Sequence, residues 1–347
     1  MKKKAATFIS LISLLTLTGC GTSNNPTESP TPGKSQVSAP TEKNVLTGLP
    51  GINSRVLAVK IDDTRSAHPQ IGLEFADVVY VEQVEGGLTR LAAIFTQQPP
   101  TNVGPVRSAR ISDLDILAQY GRVGFAFSGA QSKFYPKITA ANLVNLSADR
   151  NSSQIYYRDP SRSAPTNLIL RAADLMDKAI NKDNAQIDTI KPIGFTFGAI
   201  GNFGTSITGM KVKWPAADYE ATWSVSESRW LLSHDGHLDV SASGQTLGSP
   251  TIIIQNVSIT NSEYRDREGG ITPFSNTVGI GTGYLLRDGK AIPINWTRPN
   301  STSGTTWTLA DGSAANLNTG QIWVMLTDQE PIFTYPASAS AKAAPTK

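Results

Sequence analysis

Three arginines stand in settings that suit an anion. Arg90 closes Glu82-Gln-Val-Glu-Gly-Gly-Leu-Thr-Arg90, and Arg107 and Arg110 belong to Asn102-Val-Gly-Pro-Val-Arg-Ser-Ala-Arg110. Each guanidinium is a planar fork of donors that matches phosphate or carboxylate. Arg110 also precedes an expected helix start, where free N–H groups and the helix dipole favour negative charge. Three aspartates, Asp62, Asp63 and Asp77, are expected near the ends of neighbouring strands. Arginines and aspartates gathered on one sheet edge would hold a phosphorylated ligand, with or without a divalent metal. The competing reading is a set of structural ion pairs that fix loops to the sheet.

Other chemistry finds less support. His234 and His237 flank Asp235-Gly236, which reads as a hairpin turn and not a metal site, since no third ligand is visible. Ser128-Gly129 follows a strand but lacks the glycine two residues before the serine of a nucleophile elbow. No Gly-x-x-x-x-Gly-Lys phosphate loop occurs. The six tryptophans, from Trp214 to Trp323, all fall in the second half and read as core.

Lys2, Lys3 and Lys4 precede an apolar run that ends at Leu17-Thr-Gly-Cys20. A charged start, a short apolar core and small residues at the cut describe a secretory signal over residues 1–19. Leu-Thr-Gly-Cys resembles the bacterial lipobox, in which the cysteine is diacylated. Cys20 is therefore the expected lipid attachment point, placing the protein on the extracytoplasmic face of a cell membrane. Two acyl chains suffice for stable anchoring.

The whole chain holds 31 basic and 28 acidic residues. Loss of residues 1–19 takes away three lysines and no acid, leaving a neutral mature protein. Neutrality argues against general nucleic-acid binding, which needs a basic face. Cys20 is the single cysteine, so its lipidation would exclude disulfides and thiolate metal sites.

These groups need elements to position them. Residues 20–43, rich in Ser, Thr, Pro and Gly, read as a flexible stalk, and residues 336–347 as a disordered tail. Residues 44–200 mix strands and helices as an α/β layered sandwich. Strands are expected over 55–61, 77–84, 88–95 and 123–127, with Gly86-Gly87 turning a hairpin. Helices are expected from Ser112 to Tyr120 and from a Thr166 cap to Ile180. Residues 201–335 are β-rich, with hairpin turns at Asp288-Gly289 and Asp311-Gly312.

The two arginine segments, with Val59-Lys-Ile-Asp-Asp63, His68-Pro-Gln-Ile-Gly72 and Ala76-Asp-Val-Val-Tyr80, resemble the YerB-like family of bacterial lipoproteins. In the second half, Gln255-Asn-Val257 and Gly281-x-Gly283 fit the same resemblance, which runs from about residue 46 to 330. It implies a mixed αβ layered fold and a surface lipoprotein, and no settled activity. One departure is Arg162-Ser-Ala-Pro-Thr166-Asn167, where the family carries histidine at the position of Thr166. The first half is also loosely similar to the LytR–CpsA–Psr glycopolymer transferases, which bind polyprenyl pyrophosphate through arginines and aspartates.

Two functions follow as expectations. The first is a ligand- or protein-binding module held at the envelope by lipid on Cys20, meeting an envelope protein or a phosphorylated envelope ligand. The second is an enzyme acting on a phosphorylated envelope lipid or glycan, with the arginines as anion clamps and Asp62, Asp63 or Asp77 as metal ligand or base.

Overall fold

The strongest apolar runs in the chain become the centre of one large sheet. Its strands are β1 (Leu57–Asp62), β2 (Val78–Gln83), β3 (Thr89–Phe95), β4 (Val123–Ala126) and β5 (Leu143–Asn145) from the first half, and β6 (Thr251–Asn256), β7 (Gly279–Arg287), β8 (Lys290–Arg298), β9 (Thr306–Thr308) and β10 (Ile322–Thr327) from the second. The computed structural model describes residues 42–97 and 99–337. Cys20, the signal segment, nearly all of the expected stalk and the end of the expected tail lie outside the described residues.

The spatial order is β9-β8-β7-β6-β10-β2-β3-β1-β4-β5. β10 lies parallel to both β6 and β2, so a late strand joins the two halves at the middle of the sheet. The boundary expected near residue 200 falls in a stretch without regular helix or strand, between Lys182 and Thr205. The sheet is continuous across that boundary, and the described residues group as one unit.

Central strands of this kind are buried on both faces, which is why they read as unbroken apolar runs. One face carries Val59, Ile61, Val79, Val81 and Leu91 and packs against a smaller sheet through Met210, Val212, Tyr219, Trp230 and Leu232. That sheet is built on Gly209–Trp214, Ala217–Ser224 and Arg229–His234. The opposite face carries Ala58, Tyr80, Ala92 and Ile94 and packs against helix α1 (Ile111–Ala118) through Ile116 and Leu117. Burial on both sides is the mixed αβ layering expected from sequence.

Turns fall where their chemistry demands. Gly86 and Gly87 have φ of 69° and 76°, and a Cβ on Gly87 would come within 2.5 Å of Pro215. Asp288 and Gly289, between β7 and β8, also have positive φ, the requirement of a two-residue hairpin. Five of the six tryptophans are buried, Trp223 being half-buried, so the core reading of these residues holds.

Two local expectations are corrected. α1 begins at Ile111, one residue before the expected start at Ser112, with Arg110 in the cap position and its N–H donated to Asp113 at 2.6 Å. Thr166 caps no helix; its hydroxyl donates to the Ser163 carbonyl at 3.1 Å. The following residues, Leu168–Arg171, form a strand paired with Asn102–Val103 and Tyr156–Arg158, and the helix begins only at Ala172, running through Asp177 into a π-helical turn over Lys178–Lys182. Pairing with strands distant in sequence overrides the local helical pattern there.

Candidate functional site

Side chains alternate between the two faces of a strand, so neighbours in sequence serve opposite sides of the sheet. At one end of the central sheet this rule divides Asp62 from Asp63 and Arg90 from Thr89. Glu82, Arg90 and Asp62 form one cross-strand row on β2, β3 and β1. Arg90 reaches the cavity beside α1, whereas Asp63 and Thr89 meet each other on the side of the smaller sheet.

The α1 side opens as a cavity of about 740 Å³. Arg90, Arg107 and Arg110 all line it, with Glu85, Arg265 and Arg267 among its other walls. Arg265 and Arg267 come from the hairpin of Ile259–Arg265 and Ile271–Ser275 and are exposed. Arg107 Nε sits 2.6 Å from Asp62 Oδ2, without hydrogen-bond alignment. Arg110 Nε is 2.7 Å from Glu85 Oε1, and the Thr272 hydroxyl donates to the same carboxylate. Burial pushes Glu85 up, but the Arg110 guanidinium and its hydrogen bond outweigh it and hold the carboxyl below its ordinary range.

Arg90 is different. It is 9% exposed and donates Nη1 to the Ser108 carbonyl at 3.0 Å. Among the described residues no carboxylate lies within ion-pairing distance of it. Burial, and then the like charges of Arg110 and Arg107, bring its pKa down to about 9. A second cavity, of about 330 Å³ and lined by Ile254, Tyr284 and Glu330 among others, has no cationic side chain.

Behind Arg90 lies a closed ion cluster. Lys60 Nζ contacts Glu82 and stands 2.8 Å from Asp113 Oδ1, all three side chains being fully buried. Burial raises Glu82 above its usual range despite the nearby ammonium. Asp113 thus bonds both to the Arg110 N–H that starts α1 and to Lys60 on β1, which fixes Arg110 relative to the sheet.

On the other side, Asp63 is wholly buried and richly bonded. Tyr219 donates to its Oδ1 at 2.8 Å, Thr89 to its Oδ2 at 2.6 Å and Gln70 to Oδ1 at 3.2 Å. His68 Nε2 is 3.4 Å from Oδ1 and His234 Nε2 is 3.6 Å from Oδ2. The two imidazoles stack with centroids 4.7 Å apart, and His68 Nδ1 bonds Asp239 Oδ1 at 3.1 Å. Burial raises Asp63, but His234, His68 and the Thr89 hydroxyl together bring it below its ordinary value. Burial depresses His68, and its bonds to Asp239 and Asp63 overcome this and push it up to about 10.

The sequence therefore placed the three arginines in one cavity but not the three aspartates. Asp62 borders the arginines. Asp63 faces away from them. Asp77 is at the far end: β1 and β2 are both antiparallel to β3, so the end of β1 and the start of β2 lie at opposite ends of β3. There Asp77 takes the Thr96 N–H at 2.6 Å and the Gln97 amide at 3.1 Å, and burial raises its pKa. His234 does sit at a hairpin turn, as expected; Asp63 and His68, from the other half of the chain, come beside it, and the exposed His237 stands apart. A signal was present: Trp230, Leu232 and His234 alternate with exposed or half-exposed residues, so His234 shares the core-facing register of its strand.

This geometry can be set beside known proteins. Residues 46–186 match the model described as "Protein of unknown function (DUF3048) N-terminal domain", and residues 210–324 match its C-terminal counterpart. The chain belongs to the DUF3048 family. A relative named "Putative lipoprotein YerB", from Bacillus subtilis strain 168, is 25% identical over 285 residues, covering 78% of this chain and 80% of that protein. The crystal structure of YerB from Bacillus subtilis superposes with a TM-score of 0.69 at 22% identity, covering 83% of this chain and 97% of the other. The fold of this DUF3048 protein is thus that of YerB, with both family segments contributing to the central sheet.

Proposed function

We propose that this protein is an envelope lipoprotein, anchored through Cys20, whose folded part binds an anionic ligand in the arginine cavity. The observation that carries the binding role is Arg90: a nearly buried guanidinium at a cavity wall, flanked by two more and lacking a carboxylate of its own. Buried charges are ordinarily paired. A phosphate or carboxylate entering the cavity would supply the missing partner, and Arg107, with 28% of its side chain exposed, is free to swing onto it. The lipobox-like Cys20 and the lipoprotein name of the Bacillus relative support the tether. The enzymatic alternative needs aspartates beside the ligand, and of the three only Asp62 borders the arginines.

Binding of an anion to the folded state alone raises the melting temperature by mass action. The full chain in detergent should melt higher with inorganic phosphate, pyrophosphate or a polyprenyl phosphate, and Arg107→Ala should abolish the shift while lowering unliganded stability, because it leaves the buried Asp62 carboxylate without its ion pair. A polyprenyl phosphate shift far above that of inorganic phosphate marks an envelope lipid as the ligand. No shift with any of the three in the parent protein removes the reading.

A further inference from the structure

The cluster on the smaller-sheet side is built like a cation site. Donor atoms of Asp63, His68 and His234 all lie within 4.8 Å of one another. A tetrahedral metal held at about 2.0–2.2 Å by nitrogen and oxygen sets donor-to-donor distances of about 3.3–3.6 Å. Each imidazole Nε2 lies at such a distance from one oxygen of the Asp63 carboxylate, His68 3.4 Å from Oδ1 and His234 3.6 Å from Oδ2. His234, 5% exposed, points Nε2 at this space, and that atom has no hydrogen-bond partner.

The surroundings hold the His68 ring between two carboxylates, and an ion would take the position of the proton that faces Asp63. His68 Nδ1 meets the Asp239 carboxylate, which can only accept, so a ring proton belongs on that nitrogen. Gln70 Nε2 lies 3.1 Å from His68 Nε2 and 3.2 Å from Asp63 Oδ1, so an ion held by both would displace that amide. A carboxylate behind a histidine that offers its other nitrogen is the usual support for a metal-bound imidazole. Charge points the same way. Asp63 and Asp239 are buried, and among the described residues neither pairs with a lysine or arginine. One divalent ion would balance both.

We propose that Asp63, His68 and His234 bind a divalent transition ion of the zinc class, with Asp239 orienting His68 from behind. Two imidazoles and a carboxylate suit zinc, cobalt or nickel better than magnesium or calcium, which prefer oxygen alone. The ion would join Asp63 and His68 of the first family segment to His234 of the second. His68, with 18% of its side chain exposed, marks the way in.

The test uses the full chain in detergent, without a histidine tag, stripped by chelator and titrated with Co²⁺ and Zn²⁺. One equivalent of Co²⁺ should give a visible ligand-field spectrum that Zn²⁺ displaces, and Zn²⁺ should raise the melting temperature. His234→Asn and His68→Asn should lose stoichiometric binding, and Asp239→Asn should weaken it by about 10–100-fold. His237→Ala, on an exposed histidine of the same turn, should bind as the parent does. A zinc-soaked crystal of the unsubstituted protein supplies a measurement that needs no variant: anomalous density should lie between the three residues. A parent protein with no one-to-one spectrum and no such density overturns the site. So does a spectrum retained in both folded histidine variants.

Discussion

The arginine cavity and the aspartate–histidine cluster are built from adjacent residues yet differ in almost every physical respect. Asp62 and Arg90 serve the first; Asp63 and Thr89 serve the second. The cavity is open, carries an excess of positive charge and leaves Arg90 without a carboxylate. The cluster is closed, holds two carboxylates and satisfies Asp63 with three hydrogen bonds. The period-2 geometry of a strand lets one short stretch of sheet carry opposite charge on its two faces. The difference separates ligands by charge: a face with excess guanidinium suits an anion, and a face with two carboxylates and two imidazoles suits a cation.

The comparison is most easily broken at Asp63. Asp63→Ala should cost about 3–5 kcal/mol in urea unfolding, because it strands two buried imidazoles and the Tyr219 hydroxyl. Its folded pKa lies below that of an ordinary aspartate, so its contribution is present above the ordinary aspartate range and is lost as the pH falls through the folded pKa. The variant should therefore show a flatter acid limb than the parent. A loss under 1 kcal/mol would mean that the cluster is not the stabilising face. Tyr219→Phe isolates one bond of the same cluster and should cost about 1–3 kcal/mol, with no change in phosphate response.

The cavity should behave in the opposite sense. Arg90→Met should raise the stability of the ligand-free protein by about 0.5–2 kcal/mol and abolish its response to phosphate. The folded pKa of Arg90 is lowered to about 9, so its charge is penalised at neutral pH. The penalty eases as pH rises above about 9, so the advantage of the variant should shrink from there upward. An Arg90→Met protein less stable than its parent at neutral pH would show that this guanidinium is structural after all.

Much of the large sheet was legible because β1, β2, β3, β6 and β10 are apolar runs closed by turn residues. Gly86-Gly87 and Asp288-Gly289 announced their hairpins through the backbone angles they alone adopt easily. The arginine segment was legible because Arg107 and Arg110 follow a Gly-Pro turn that leads directly into α1. What escaped was everything set by pairing between distant strands. No local feature tells that β1 and β2 run the same way, and that fact alone sends Asp77 to the far end from Asp62. Likewise, Leu168–Arg171 reads as helix until its partners at Asn102–Val103 and Tyr156–Arg158 are known. His234 could be seen to face inward, but Asp63 and His68, some 170 residues earlier, could not be seen to await it.

The position of β10 has a consequence for how such a chain is made. A polypeptide made from its N-terminal end has β1–β9 complete before Ile322–Thr327 arrives. Until then β2 and β6 each present a bare edge to whatever lies nearby, including the other's, and unpaired edges invite aggregation. The nascent protein is thus most vulnerable late in its synthesis, and a stop just short of residue 322 would undo both halves at once, not merely trim the second.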